Sequence, residues 1–180
     1  MTGKSGGERS SESIQFEGFG PNGVAVLVDC VTASPGRTAG ELRKIFTDFG
    51  GELGGNVGWK FAAHGVIRVG RADLAEETLQ AIARDAGAGE ILSADPGAYV
   101  ILTPPAALDA VRGVLGEHEI QVLSSEIACI PAERVGLEEN AAGKVMGFLD
   151  ALRAHGEVRK VWSDADIPRE VLVERGGQGT

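Results

Sequence analysis

Apolar and polar positions along this chain fall into short blocks of changing period, and each change marks an element. Ser13-Ile14-Gln15-Phe16 alternates as a strand does. After a glycine-rich turn, Val24 to Val31 is almost unbroken apolar sequence rich in β-branched residues, the pattern of a buried strand. Ala39, Leu42, Ile45, Phe46 and Phe49 then recur at helical spacing. Thr38-Ala-Gly-Glu41 ahead of them reads as a capping box, and Gly50-Gly51 as the helix stop. Trp59 to Gly70 reads as two strands around an Ala-His-Gly turn that His64 caps.

The middle of the chain repeats this alternation. A helix capped by Asp73 carries Leu74, Leu79, Ile82 and Ala86 and closes at Gly87. A hairpin turns at Asp95-Pro96-Gly97, and a helix opened by Thr103 and its prolines lines up Leu108, Val111 and Leu115. A strand running to Pro131 completes an α-β-β-α-β order. Val145, Met146, Leu149 and Leu152 then define a helix over 138–154, followed by a closing strand at 157–162. These elements predict an α/β (α+β) fold of two ferredoxin-like units, the second inserted into the first. The outer unit spans 14–70 with 138–173 and the insert spans 71–137. Residues 1–13 read as a disordered lead and 174–180 as a flexible tail.

Charge sharpens the division. The outer stretch 14–70 balances five acids against five bases, whereas 71–137 holds eleven acids and four bases. The insert therefore repels phosphate backbones and suits a protein partner better. No apolar run is long enough to span a membrane and no signal peptide opens the chain, so the expected location is cytoplasmic. Cys30 and Cys129 sit in apolar strand-like runs as reduced thiols, and the three histidines form no ligand motif. No metal, cofactor or catalytic constellation is expected, so the chain reads as a non-enzyme.

Gly18-Phe-Gly-Pro-Asn-Gly23 matches G-x-G-x-x-G, but a strand follows it where a dinucleotide site needs a helix N-terminus. Pro21 also lacks one of the N–H donors that a phosphate would require. The pattern reads as a tight turn feeding a strand. The remaining candidate chemistry is a set of cations: Arg37, Arg43, Lys44, Lys60 and Arg68 are either a solvated face or a nucleic-acid backbone contact near the Gly50–Gly58 loop. Trp59 beside Lys60 is either core or a stacking platform. The glycine loop is either a hinge or an anion-binding nest.

The stretches FEGFGPNGVAVLVDCVT and RTAGELRKIFTDFGGELG resemble the YebC/PmpR family of regulators. The resemblance rests on Glu17, Gly18, Gly20, Pro21 and Gly23 in the turn, on Thr38 after Arg37, and on Gly50, Gly51 and Gly54. It continues more weakly through AGAGEI, SSEIACIP and DIPREVL. It implies a regulator of gene expression, acting on DNA in transcription or on ribosomal RNA in translation. The family's nucleic-acid contact is associated with an N-terminal basic helical domain opening with a His-Ser-Lys-Trp type motif. This chain has none, so a weakened affinity is expected, or a role as a protein-interaction module modulating a full-length paralogue. Trp59 and Lys60 depart from the family pattern, which has a small and an apolar residue there.

Overall fold

The computed structural model of the chain describes residues 10–71, 75–95 and 97–168. The chain divides into two compact units, Met1–Phe61 with Pro131–Thr180 and, set between them in sequence, Ala62–Ile130.

In the outer unit, β1 (Glu12–Phe19) and β2 (Ala25–Thr32) form an antiparallel hairpin whose register runs from Glu12 opposite Thr32 to Phe19 opposite Ala25. The strand thus starts two residues before 14, inside the stretch expected to be disordered. The connection is a 3-10 turn over Pro21–Gly23 in which Asn22 adopts a left-handed φ of 60°, as the reading of the glycine pattern as a turn requires. Helix α1 (Pro35–Asp48) follows, then β3 (Glu52–Leu53) at the sheet edge. After the insert come helix α4 (Glu139–Arg153) and strand β9 (Val158–Ser163), giving the sheet order β3-β1-β2-β9. A two-stranded parallel pair joins β8 (Val135–Gly136) to β10 (Ala165–Asp166).

Strand β2 is central, and every side chain from Val24 to Val28 is buried, which is why its sequence is a continuous apolar run. Its alternate residues Val24, Val26, Val28 and Cys30 meet Leu42 and Phe46 of α1 and Val145, Phe148, Leu149 and Leu152 of α4 in one core. Phe46 and Phe148 pack edge to face with centroids 4.8 Å apart. Gly50 ends α1 at φ +80°, as the glycine pair predicts.

The insert is β4 (Phe61–Gly70), α2 (Glu76–Asp85), β5 (Glu90–Asp95), β6 (Ala98–Thr103), α3 (Leu108–Glu117) and β7 (Val122–Pro131). Its sheet order β5-β6-β4-β7 is that of a ferredoxin-like βαββαβ unit. Leu79, Ala83, Val111 and Leu115 pack on Ile67, Val69, Tyr99 and Ile101 as its core. The outer unit is α+β as well, entered by the β1–β2 hairpin across the glycine turn.

Four expectations change. Residues 62–70 belong to the insert and not to the outer unit, because β4 pairs with β6 from Gly65 opposite Thr103 to Gly70 opposite Ala98. The insert also ends at Ile130, before 137. The Ala-His-Gly turn does not exist: His64 lies within the continuous strand β4, so it caps no hairpin. Gly65 is there for close approach, since a Cβ would strike the Thr103 hydroxyl and Leu108. Thr38 is not a cap, because α1 begins at Pro35 and Thr38 lies buried inside its first turns. Asp73 and Leu74, Pro96, the tail 174–180 and all but the last four residues of the lead lie outside the described residues.

Candidate nucleic-acid interface

The predicted cations are not equivalent once folded. Arg37, near the start of α1, pairs with Glu157 and, at 3.4 Å, with Glu41. Lys44 pairs with Asp48 one turn on, at 2.7 Å. Lys60 extends its ammonium to Asp164 at 3.1 Å, and that carboxylate is only 1% exposed. The other oxygen of Asp164 accepts the Ala25 N–H at 2.8 Å, so this ion pair joins the end of the glycine loop to the central strand. Arg68 lies on β4 in the other unit, exposed and with interactions of its own. Arg43 differs from all of these. It is exposed on α1 and, among the described residues, makes no ion pair.

Arg43 lines an open groove of about 460 Å³ with Gln15, Phe16 and Glu17 of β1, Ala39, and Leu53 to Asn56. Gly54 and Gly55, at φ +118° and +102°, bend the loop that forms its rim. The loop offers no anion nest at 57–58, because Glu17 already occupies it. One Glu17 carboxylate oxygen accepts the N–H groups of Val57 and Gly58, at 2.9 and 2.8 Å. The Glu17 carbonyl also accepts the Gly54 N–H at 2.8 Å. The family-motif glutamate therefore orders the glycine loop from within. Of the other motif residues, Gly18 of β1 lies opposite Leu53 of β3, and Gly20, Pro21 and Gly23 make the turn. Gly20 rests against the Phe148 ring, and Gly50 and Gly51 carry the chain from α1 into β3.

Trp59 is 74% exposed, not a core residue. Its indole N–H donates to the Asn56 carbonyl at 3.0 Å, and Lys60 Nζ lies 6.0 Å from the ring centroid. Val57, two residues earlier, is fully buried and anchors the turn. Trp59 and Lys60 line a smaller pocket of about 180 Å³ with Ala132 and Glu133.

A second cluster had no signal in sequence. The Thr38 hydroxyl donates to Glu157, 119 positions away, and contacts the Thr32 hydroxyl at 2.8 Å. His155 Nδ1 accepts the Glu157 N–H, which leaves the proton on Nε2 to donate to Glu41 at 2.8 Å. Possible ligand atoms of Glu41, His155 and Glu157 lie within 4.8 Å of one another. Every carboxylate oxygen in this cluster already has an internal donor, namely Arg37, Thr38 or His155. A cation would have to displace the Arg37 guanidinium, so the arrangement works as a clamp between α1 and the loop joining α4 to β9. The Thr38 hydroxyl and the Arg37 charge hold the Glu157 carboxyl below its ordinary value, against partial desolvation. Burial, with Asp29 beside it, pushes the Cys30 thiol up to about 11, so it is no nucleophile at neutral pH. Among the described residues no helix is long and apolar enough to cross a membrane.

Residues 11–165 match the family model described as the TACO1/YebC second and third domain. A probable transcriptional regulatory protein of Desulforapulum autotrophicum is 38% identical over 162 residues, covering 89% of this chain and 65% of that protein. Another of the same description from Elusimicrobium minutum is 37% identical over 164 residues, with the same two coverages. The chain thus spans about two thirds, 65%, of the length of these relatives. Among solved structures, a conserved hypothetical protein of Aquifex aeolicus aligns over 95% of this chain and 71% of its own, at a TM-score of 0.79 and 32% identity.

Proposed function

The chain belongs to the TACO1/YebC family, and we propose that it is a non-enzymatic regulator of gene expression that contacts DNA or ribosomal RNA through the Arg43 groove of its outer unit. The observation that carries this reading is the isolation of Arg43. Its neighbouring cations are each paired with a carboxylate of the chain, while Arg43 stands exposed at an open groove with none of its charge neutralised by a described partner. Such a side chain is available for a phosphate oxygen. The names of the relatives, probable transcriptional regulatory proteins, support a role in regulation. With a net charge of −9 and one available cation at the groove, the contact is weak and localised.

Fluorescence anisotropy with labelled duplex DNA and with a ribosomal RNA fragment, each at about 50 and 200 mM salt, tests the proposal. Binding that weakens as salt rises supports it, and no binding at the lower salt refutes it.

One observation favours a second reading, a protein-interaction module. Leu92, on edge strand β5, and Leu123 and Ile127, on edge strand β7, are exposed apolar residues of the acidic insert. Exposed edge strands pair with partner chains. In that case partner binding survives Arg43→Ala and responds to charge reversal in the insert.

A further inference from the structure

Trp59 is a large apolar side chain that folding leaves in water, yet its surroundings are fixed. The indole N–H is tied to Asn56, the two residues before it are held by Glu17, and Lys60 after it is locked to buried Asp164. The opposite wall is tied to the same frame, because the Ala132 N–H donates to the Lys60 carbonyl at 2.9 Å. A ring held this way stacks on a planar partner with little further loss of freedom.

The pocket it borders, about 180 Å³, is well under the roughly 300–1,000 Å³ of sites for drug-sized ligands and suits a single ring system. Among the described residues its polar lining is one cation, Lys60, and one carboxylate, Glu133. Lys60 gives one N–H to Asp164 and has two more to donate, while an ionised Glu133 only accepts. A ligand that matches this pair presents an acceptor beside two donors along one edge. Guanine does so, with O6, N1–H and N2–H in a row. Adenine, cytosine and uracil each lack the adjacent pair of donors. In duplex nucleic acid that edge is occupied by the paired base.

We propose that the Trp59–Lys60–Glu133 pocket binds an unpaired guanine, stacked on the indole and read by Glu133 along N1–H and N2–H with Lys60 at O6. This rests on the nucleic-acid reading above and narrows it to a single-stranded or looped-out base. Arg134, next in sequence, is exposed and among the described residues makes no ion pair, so it is free to meet the adjoining phosphate.

The test uses the full chain carrying Trp162→Phe, which leaves Trp59 as its one tryptophan. Its emission is followed against GMP, AMP, the pentanucleotides UUGUU and UUAUU, the DNA analogue TTGTT, and a hairpin with the guanine paired. Saturable quenching is expected with GMP, UUGUU and TTGTT, with Kd at least about fivefold lower for the guanine probes than for their adenine counterparts. Similar RNA and DNA values locate recognition in the base, and a clear RNA preference adds a 2′-hydroxyl contact to it. Glu133→Gln is expected to erase the guanine preference while retaining stacking. Trp59→Ala, an exposed substitution with an unchanged thermal melt, is expected to weaken UUGUU binding by roughly 5- to 100-fold in an anisotropy assay. Equal quenching by GMP and AMP, a preference unmoved by Glu133→Gln, or equal binding of the paired hairpin overturns the proposal. If salt-sensitive binding to ribosomal RNA persists in Trp59→Ala at full strength, the pocket fails while the Arg43 reading stands. If guanine probes bind but ribosomal RNA and duplex DNA do not, the Arg43 reading fails and the pocket stands.

Discussion

Two stretches of helix α1, one turn apart, carry similar residues and use them in opposite ways. At its start, Arg37, Thr38 and Glu41 meet Glu157 and His155 in a network where each charge is answered within the fold. One turn along, Arg43 faces an open groove and, among the described residues, has no ion-pair partner. Both regions are charged and both include motif positions of the family. Spacing along the helix is alike in the two stretches, and only the fold decides that the Arg37 charge is answered within the chain while that of Arg43 stays open to a ligand. The same contrast holds across the glycine loop, where Glu17 is consumed by structure and Trp59 is left outside.

The largest effect that sharpens this comparison belongs to the buried carboxylate. Asp164→Ala leaves the Ala25 N–H without its acceptor and Lys60 without its partner. It should cost about 3 kcal/mol, the low end for a broken buried pair, because Lys60 is 29% exposed. A melting temperature lower by about 6–12 °C in a circular-dichroism scan checks this. An unchanged melt would place Lys60 among the solvated cations and erase the contrast with Arg43.

A smaller effect comes from the clamp itself. Thr38→Val removes the hydroxyl bound to Glu157 and should lower the melting temperature by roughly 2–4 °C without touching nucleic-acid binding. Its pH dependence identifies the cause. Because the Glu157 carboxyl is held below its ordinary 4.5, the stability it contributes is fully present above pH 4.5 and is lost as pH falls through the lowered value. Wild-type protein should therefore outlast Glu157→Gln at neutral pH, with the gap closing below pH 4.5. Thr38→Val should move that closing window toward higher pH. Parallel pH profiles for wild type and Glu157→Gln would show that the clamp contributes nothing.

How much of this was legible depended on how local the signal is. Buried β2, helix α1 with its glycine stop, and the α-β-β-α-β order of the insert follow from period and turn chemistry within a few residues. The partner of β4 did not, since an apolar strand says nothing about which sheet it joins. His64 looked like a turn because a following glycine marks turns, while here Gly65 marks close packing against Thr103. Thr38 had the spacing of a cap, yet its partners Thr32 and Glu157 come from β2 and from the loop after α4. Trp59 is exposed although hydrophobicity alone argues for burial, and only the folded turn shows it. The cations could be named from sequence, but their partners, often more than a hundred positions away, could not.

The most direct measurement compares Arg43→Ala and Arg37→Ala side by side, titrating the same ribosomal RNA fragment and DNA duplex across a salt series by anisotropy. An unanswered Arg43 predicts that Arg43→Ala weakens binding and lowers the log–log salt slope by about 0.7 to 0.9, one phosphate contact, while Arg37→Ala leaves the slope unchanged. A slope that falls in Arg37→Ala and stays constant in Arg43→Ala would contradict the account.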